Sequence, residues 1–195
     1  MALPRSIITE RLLIREWEAA DAAALNESIA RSHEHLVVFM PWAALPPLSL
    51  GQRVAWIETT RADEGAGRGY GLFLGDDIIV GSVGYHRRIG AGGLEIGYWV
   101  GVDHLDRGYA TEAARALTHN GFGDPTIDRI EIHHDRANEA SGRIPRGLGY
   151  DRITEAAQEI TAPGESGITV VWRFTRDTFE KQWRSESATE VGADR

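Results

Sequence analysis

The chain has 195 residues, 42% hydrophobic and 26% charged, enough for one domain with a real core and at most a small appendage. Its formal charge is 21 minus 29, or −8, which excludes a general nucleic-acid binder and suits a basic partner such as an amine. With no cysteine, a disulfide framework, a thiolate metal site and a cysteine nucleophile are all excluded.

The start, MALPRSIITERLL, has no long apolar run. Neither a signal peptide nor a membrane span is expected, and a cytoplasmic location follows as the default. Residues 6–17, SIITERLLIREW, read as the first strand, with Ile8, Leu12 and Ile14 on a loosely alternating face. Asp21 then precedes a helix with Ala22, Leu25 and Ile29 along one side. In HEHLVVFMPWAALPPLSL, Pro41, Pro46 and Pro47 forbid a regular helix. Ser49 can cap a second helix, with Val54 and Ile57 inward, running to about Glu64. Two apolar runs, Tyr70 to Leu74 and Ile78 to Tyr85, flank Gly75-Asp76-Asp77 and read as a β-hairpin.

A glycine-rich turn, Arg88 to Gly93, leads into the stretch around which the chain is organised, GLEIGYWVGVDHLDRGYATEAARALTHN. Leu94, Ile96, Tyr98, Val100 and Val102 sit two apart, as on one face of a strand. Ala110, Ala113, Ala114 and Leu117 recur at helical spacing. Between them lies a turn with Gly108 at the helix start. Helix N-termini carry unpaired amides and the positive end of the helix dipole, and so attract anions. Gly108 lets a phosphate approach without meeting a Cβ, and Arg107 adds a positive charge. Beyond, GFGDPTIDR is a breaker, Arg129 to His134 a short strand, NEASGRIPRGLGYDR a short helix starting near Asn138, and ITVVWRF a last strand. Residues 1–183 are expected to form one domain, and 184–195 a polar, disordered tail. From periodicity alone the fold class is α+β with a mixed sheet.

DRGYATEAARAL following EIGYWV resembles the acetyl-coenzyme A loop of the GNAT acetyltransferases, and in particular their ribosomal-protein (Rim-type) branch. The family loop reads Gln/Arg-x-x-Gly-x-Gly/Ala. Gly108 and Ala110 match it, whereas Leu105 stands at the Gln/Arg position. The opening strand, with its Arg-Leu-x-Leu-Arg pattern, and the loop HLVVFMPWA also resemble that branch. The resemblance implies a single GNAT-like domain: a mixed, mostly antiparallel sheet, splayed between two central strands and flanked by helices.

It also implies an acyltransferase using acetyl-CoA as co-substrate, with an amine acceptor and no metal. Arg107, Gly108, Tyr109, Ala110 and Thr111 would hold the diphosphate. Backbone on Trp99 to Val102 would pair with pantetheine, the Val100 amide facing the thioester oxygen. Asn138-Glu-Ala-Ser141 before Gly149-Tyr150 resembles the family's Asn-x-x-Ser … Gly-Phe segment. That match gives Asn138 the pantetheine amide and Ser141 a place near the sulfur. Many members carry a tyrosine acid four residues after the serine, and here that residue is Pro145. Gly142 and Pro145 also weaken the helix.

For the base, Glu95 is the first candidate and His86 the alternative; a salt-bridged structural role for Glu95 remains open. Phe39, Met40 and Trp42 either line the acceptor pocket or form a satellite core cluster. His133 and His134 are adjacent, point to opposite strand faces and make no metal site by themselves. The acceptor is a protein N-terminus or a small amine. The Trp-rich loop offers a surface for a homodimer. The competing reading is a coenzyme A-binding sensor or partner-binding protein with a decayed active site.

Overall fold

The computed structural model describes residues 3–63, 65 and 67–183. The expected tail, 184–195, lies outside the described residues, as does Glu64. Eight strands form one sheet: β1 (Ser6–Ile8), β2 (Leu13–Glu16), β3 (Gly67–Leu74), β4 (Ile78–His86), β5 (Gly93–Val100), β6 (Arg129–Asp135), β7 (Asp151–Ala157) and β8 (Ile168–Thr175). Their order is β1-β2-β3-β4-β5-β6-β8-β7. Every pairing is antiparallel except that of β5 with β6.

The expected first strand is in fact a hairpin. Ser6 to Ile8 folds back on Leu13 to Arg15, and the Thr9 hydroxyl bonds the Leu12 carbonyl to close the turn. The central strand stops at Val100. Val102 lies beyond it, in a 3-10 turn spanning Val102–His104, so it leaves the expected alternating face. β7 was not expected, because its side chains are all exposed and its sequence, DRITEAA, carries no apolar run.

The helices are α1 (Ala22–Arg31), α2 (His33–Leu36), α3 (Leu50–Ala62), α4 (Tyr109–Gly121), α5 (Glu139–Gly147) and α6 (Arg176–Gln182). α2 is one turn ahead of Pro41, and the proline itself opens a 3-10 turn, Pro41–Ala44, where its missing N–H costs nothing. Ser49 caps α3 as expected: its hydroxyl accepts from the Gln52 amide while the Gln52 side chain accepts from the Ser49 amide. α6 was not expected as a helix; Phe179 anchors it, buried beside Phe122, Phe174 and Trp183.

The two faces of the sheet carry separate cores. Leu94, Ile96, Ile130 and Ile132 pack against Ala113, Ala114 and Leu117 of α4. On the other face Trp17, Phe73 and Ile79 pack against Leu25 of α1 and Ile57 of α3. These cores hold the sheet rigid, with one gap. β5 and β6 pair only at Gly93 with Arg129, Leu94 with Ile130 and Glu95 with Glu131. Both strands run on beyond that rung without pairing. The result is a V whose crotch is the Glu95/Glu131 pair.

Candidate active site

At one end of the V stands the start of α4. Gly108 holds φ at 78°, the left-handed region that glycine enters without strain. A Cβ there would meet Arg11 Nη2 at 3.4 Å. The first intrahelical bond is from the Glu112 amide to the Gly108 carbonyl, so the amides of Tyr109, Ala110 and Thr111 have no partner within the helix. A first-turn carboxylate, Glu112, would repel an anion here, but it is neutralised. It accepts from Thr9 Oγ1 at 2.6 Å, from the Arg11 amide at 2.9 Å and from Arg11 Nε at 2.6 Å. These contacts, hydrogen bonding above all, outweigh burial and hold its pKa below the usual carboxylate range. Arg11 also donates to the Arg107 carbonyl at 2.8 Å and covers the Tyr109 ring. Sequence reasoning passed over Arg11, although it is the first arginine of the Arg-Leu-x-Leu-Arg pattern. Arg107 is exposed.

The V opens into a cleft of roughly 1930 Å³. Pockets for one small ligand are about 300–1,000 Å³, so there is room for two reactants. Phe39, Met40, Trp42, Trp56 and Trp99 form an aromatic bay at one side, with the Trp42 and Trp99 rings 6.2 Å apart. His86, Glu95 and His133 line the middle, and Tyr98, Asn138 and Ser141 the far side. Phe39, Trp42, His86, Glu95, Trp99, Asn138 and Ser141 therefore share one cleft, whereas Val100 and the loop residues Arg107, Gly108, Tyr109, Ala110 and Thr111 are not among its lining. Nor is Val102, whose amide donates to Ser32 Oγ at 3.0 Å.

Asn138 caps α5, its Oδ1 accepting from the Ser141 amide at 3.1 Å. Gly142 has a packing reason, because a Cβ there would lie 2.8 Å from the His134 ring. That ring is fixed by Trp172 Nε1, which donates to His134 Nε2 at 2.9 Å, and by its own bond to the Asp135 carbonyl. Pro145 lacks the N–H that would reach the Ser141 carbonyl. The Tyr98 hydroxyl, 3.2 Å from that carbonyl and 3.1 Å from Ser141 Oγ, takes its place. Burial keeps the Tyr98 phenol protonated, well above its ordinary range. Tyr98 was read only as one of the alternating residues on a face of the central strand; the signal that could have found it was the proline four residues after Ser141.

Glu95 is buried, which alone would raise its pKa, but Arg88 wins and keeps it low. Arg88 Nε donates to one carboxylate oxygen at 2.8 Å and Nη2 to the other. The salt-bridged reading of Glu95 thus holds, while the side chain still faces the cleft. Burial and Arg88 push His86 down, so it is neutral at pH 7. Among the described residues, no group of three His, Cys, Asp or Glu side chains is placed to hold a metal ion, and no helix is long and apolar enough to cross a membrane.

A splayed sheet with a glycine-opened helix start at one end and a capped Asn-x-x-Ser helix beside the gap is the architecture of an acetyl-CoA-dependent acyltransferase. The acetyltransferase (GNAT) domain matches residues 11–151, and the chain belongs to that family. It is 27% identical over 146 residues to YnaD of Bacillus subtilis (strain 168), an uncharacterized N-acetyltransferase, covering 75% of this chain and 82% of that protein. Among solved structures, RimL, the ribosomal L7/L12 α-N-protein acetyltransferase in complex with coenzyme A, superposes with a TM-score of 0.78 at 17% identity, covering 90% of this chain and 98% of RimL. The microcin C7 self-immunity acetyltransferase MccE, in complex with acetyl-CoA and AMP, gives 0.78 at 18% identity, covering 89% and 98%. The Rim-type likeness of the sequence is thus matched by a Rim-type structural neighbour.

Proposed function

We propose that this enzyme transfers the acetyl group directly from acetyl-CoA to a primary amine within a ternary complex, and that the amine is a peptide N-terminus. The observations that carry this reading are the cleft beside the V, lined by Trp99, Asn138, Ser141 and the aromatic bay, and the glycine turn with unpartnered helix amides that follows β5 at the start of α4. Arg107 and the Gly108-to-Thr111 amides hold the diphosphate. The unpaired edge of β5 at Trp99 and Val100 holds pantetheine by main-chain bonds, as an idle strand edge can. Asn138 has a cap to make with its Oδ1, which leaves its Nδ2 for the pantetheine amide. Ser141 stands beside the departing sulfur and donates a hydrogen bond to it.

On the other side, Phe39 and Trp42 receive the acceptor, with His86 on the floor. Glu95 is ionised and clamped, which makes it a poor proton acceptor but a good holder of the ammonium. The ribosomal N-terminal activity in RimL's name supports a peptide acceptor, and the bay is open enough for an extended chain. Calorimetry with acetyl-CoA tests the donor site, and thiol release over a panel of short peptides and small amines tests the acceptor. Saturable binding with turnover restricted to peptides is expected. No binding at millimolar acetyl-CoA defeats the donor site. Binding with no turnover favours the sensor reading, and turnover of small amines alone moves the acceptor class.

A further inference from the structure

We propose that His133 is the catalytic base, activated by Glu131 and facing Glu95 across the space where the acceptor ammonium sits. The proposal rests on the amine-transfer reading above. His133 lies on β6, two residues past the last rung of the β5/β6 pairing. It therefore projects to the same face as Glu131, just inside the V, and it lines the cleft.

Two contacts of its ring define its state. His133 Nε2 lies 2.6 Å from Glu131 Oε2. Glu131 is buried and is itself held by Arg173, whose Nε donates to the other carboxylate oxygen at 2.8 Å, with Arg129 Nε at 3.8 Å. With Arg173 on its other oxygen, Glu131 Oε2 is the acceptor here, and the Nε2 proton belongs to that bond. The lone pair is left on Nδ1, which lies 3.6 Å from Glu95 Oε2. That distance is too long for a direct hydrogen bond. Glu95 Oε2, which already accepts from Arg88 Nε, keeps a second lone pair, so a substrate ammonium placed between it and His133 Nδ1 can donate to both.

The same arrangement of a carboxylate, an imidazole and a reacting group recurs in enzymes that activate nucleophiles, where the carboxylate fixes the tautomer and steadies the imidazolium. The other candidates are weaker. Glu95 already spends both oxygens on Arg88, and His86 is pushed down by burial and by the same arginine. The groups facing His133 are Glu131 and Arg129 on its own strand, Arg173 on β8, Glu95 on β5, and Arg88 and His86 around Glu95.

In the reaction, one ammonium proton passes to His133 Nδ1, and Glu95 holds the remaining N–H groups. The freed lone pair attacks the thioester carbonyl carbon, and the carbon–sulfur bond breaks. The second proton, acidic once nitrogen has bonded carbon, leaves with the thiolate. The proton on His133 returns to solvent through the open cleft.

The test compares wild type, His133→Gln and Glu131→Gln with acetyl-CoA and a peptide that the wild type turns over. His133→Gln should lower kcat by about 100-fold, the usual contribution of a general base, and abolish the acid limb of the pH profile. Acetyl-CoA affinity by calorimetry should stay unchanged, which also shows that the variant folds. Glu131→Gln should move the acid limb to lower pH, because the imidazolium loses its anion. In the wild type, NMR titration of the His133 ring should coincide with the acid limb of kcat/KM, a readout that needs no variant. A His133→Gln enzyme with wild-type kcat and an intact acid limb, or a ring that does not titrate with that limb, overturns the proposal and leaves amine transfer standing. A wild type that binds acetyl-CoA and turns over no amine overturns both.

Discussion

The Tyr98 hydroxyl lies 3.2 Å from the Ser141 carbonyl, the group that Pro145 deprives of its helical donor. One substitution therefore has two effects. It removes the helical donor to the Ser141 carbonyl, and it brings a phenol from β5 to the same serine. Tyr98→Phe removes the hydrogen bond to a half-buried carbonyl and should cost about 1 kcal/mol. It should also lower kcat, since Ser141 loses its anchor. Pro145→Ala restores the N–H. A double-mutant cycle by chemical denaturation should show that Tyr98→Phe costs less in the Pro145→Ala background. Equal costs in both backgrounds would mean that the two residues are uncoupled.

Gly108 is the most sensitive point of the donor site. Gly108→Glu puts a side chain and a negative charge where a diphosphate is to sit, on a backbone at φ 78° that favours glycine. Acetyl-CoA binding should disappear in calorimetry. Gly108→Ala should cost about 1 kcal/mol of stability from left-handed strain and weaken binding only in part.

Asp135 ties β6 to the loop before β8. It accepts from the Ala137 amide at 2.8 Å, the Ser166 amide at 2.9 Å, Ser166 Oγ at 2.8 Å and the Gly167 amide at 3.1 Å. Burial opposes ionisation, but these donors prevail and hold its pKa at about 2. A depressed carboxylate stabilises the fold above its unfolded value, about 4, and the gain is lost as pH falls through 2. The lowering corresponds to about 2 kcal/mol. Denaturation midpoints between pH 4 and pH 2 should fall more steeply in the wild type than in Asp135→Asn, which should be weaker at neutral pH.

Leu117 is fully buried between α4 and the sheet. Leu117→Ala leaves a cavity there and should cost about 2–5 kcal/mol by denaturant unfolding. Because α4 presents the amide cradle from its opposite end, acetyl-CoA should recover part of that loss when added in excess.

The sequence revealed the parts of this molecule whose cause is local. Gly108 needs a left-handed turn, Ser49 with Gln52 makes a capping box, and Asn138 precedes a first turn that it can cap; each is visible in a few neighbouring residues. What escaped depends on distant partners. β7 has no periodicity because none of its side chains is buried, and only pairing with β8 defines it. The β1/β2 reversal at Thr9 carries no glycine or proline. Glu131 and His133 gain meaning only when β6 lies parallel to β5 and places Glu131 opposite Glu95. Arg88 is seven residues from Glu95 in the chain, and no spacing rule says that it folds back to neutralise it.

The two outermost strands of the sheet, β1 and β7, differ in how they meet solvent. β1 is three residues long, while β7 carries Asp151, Arg152 and Glu155 and has a register shift between Arg152 and Thr154. Short length, ionised side chains and an interrupted ladder each discourage a second molecule from docking its main chain alongside. This protein should accordingly stay dispersed when concentrated at neutral pH.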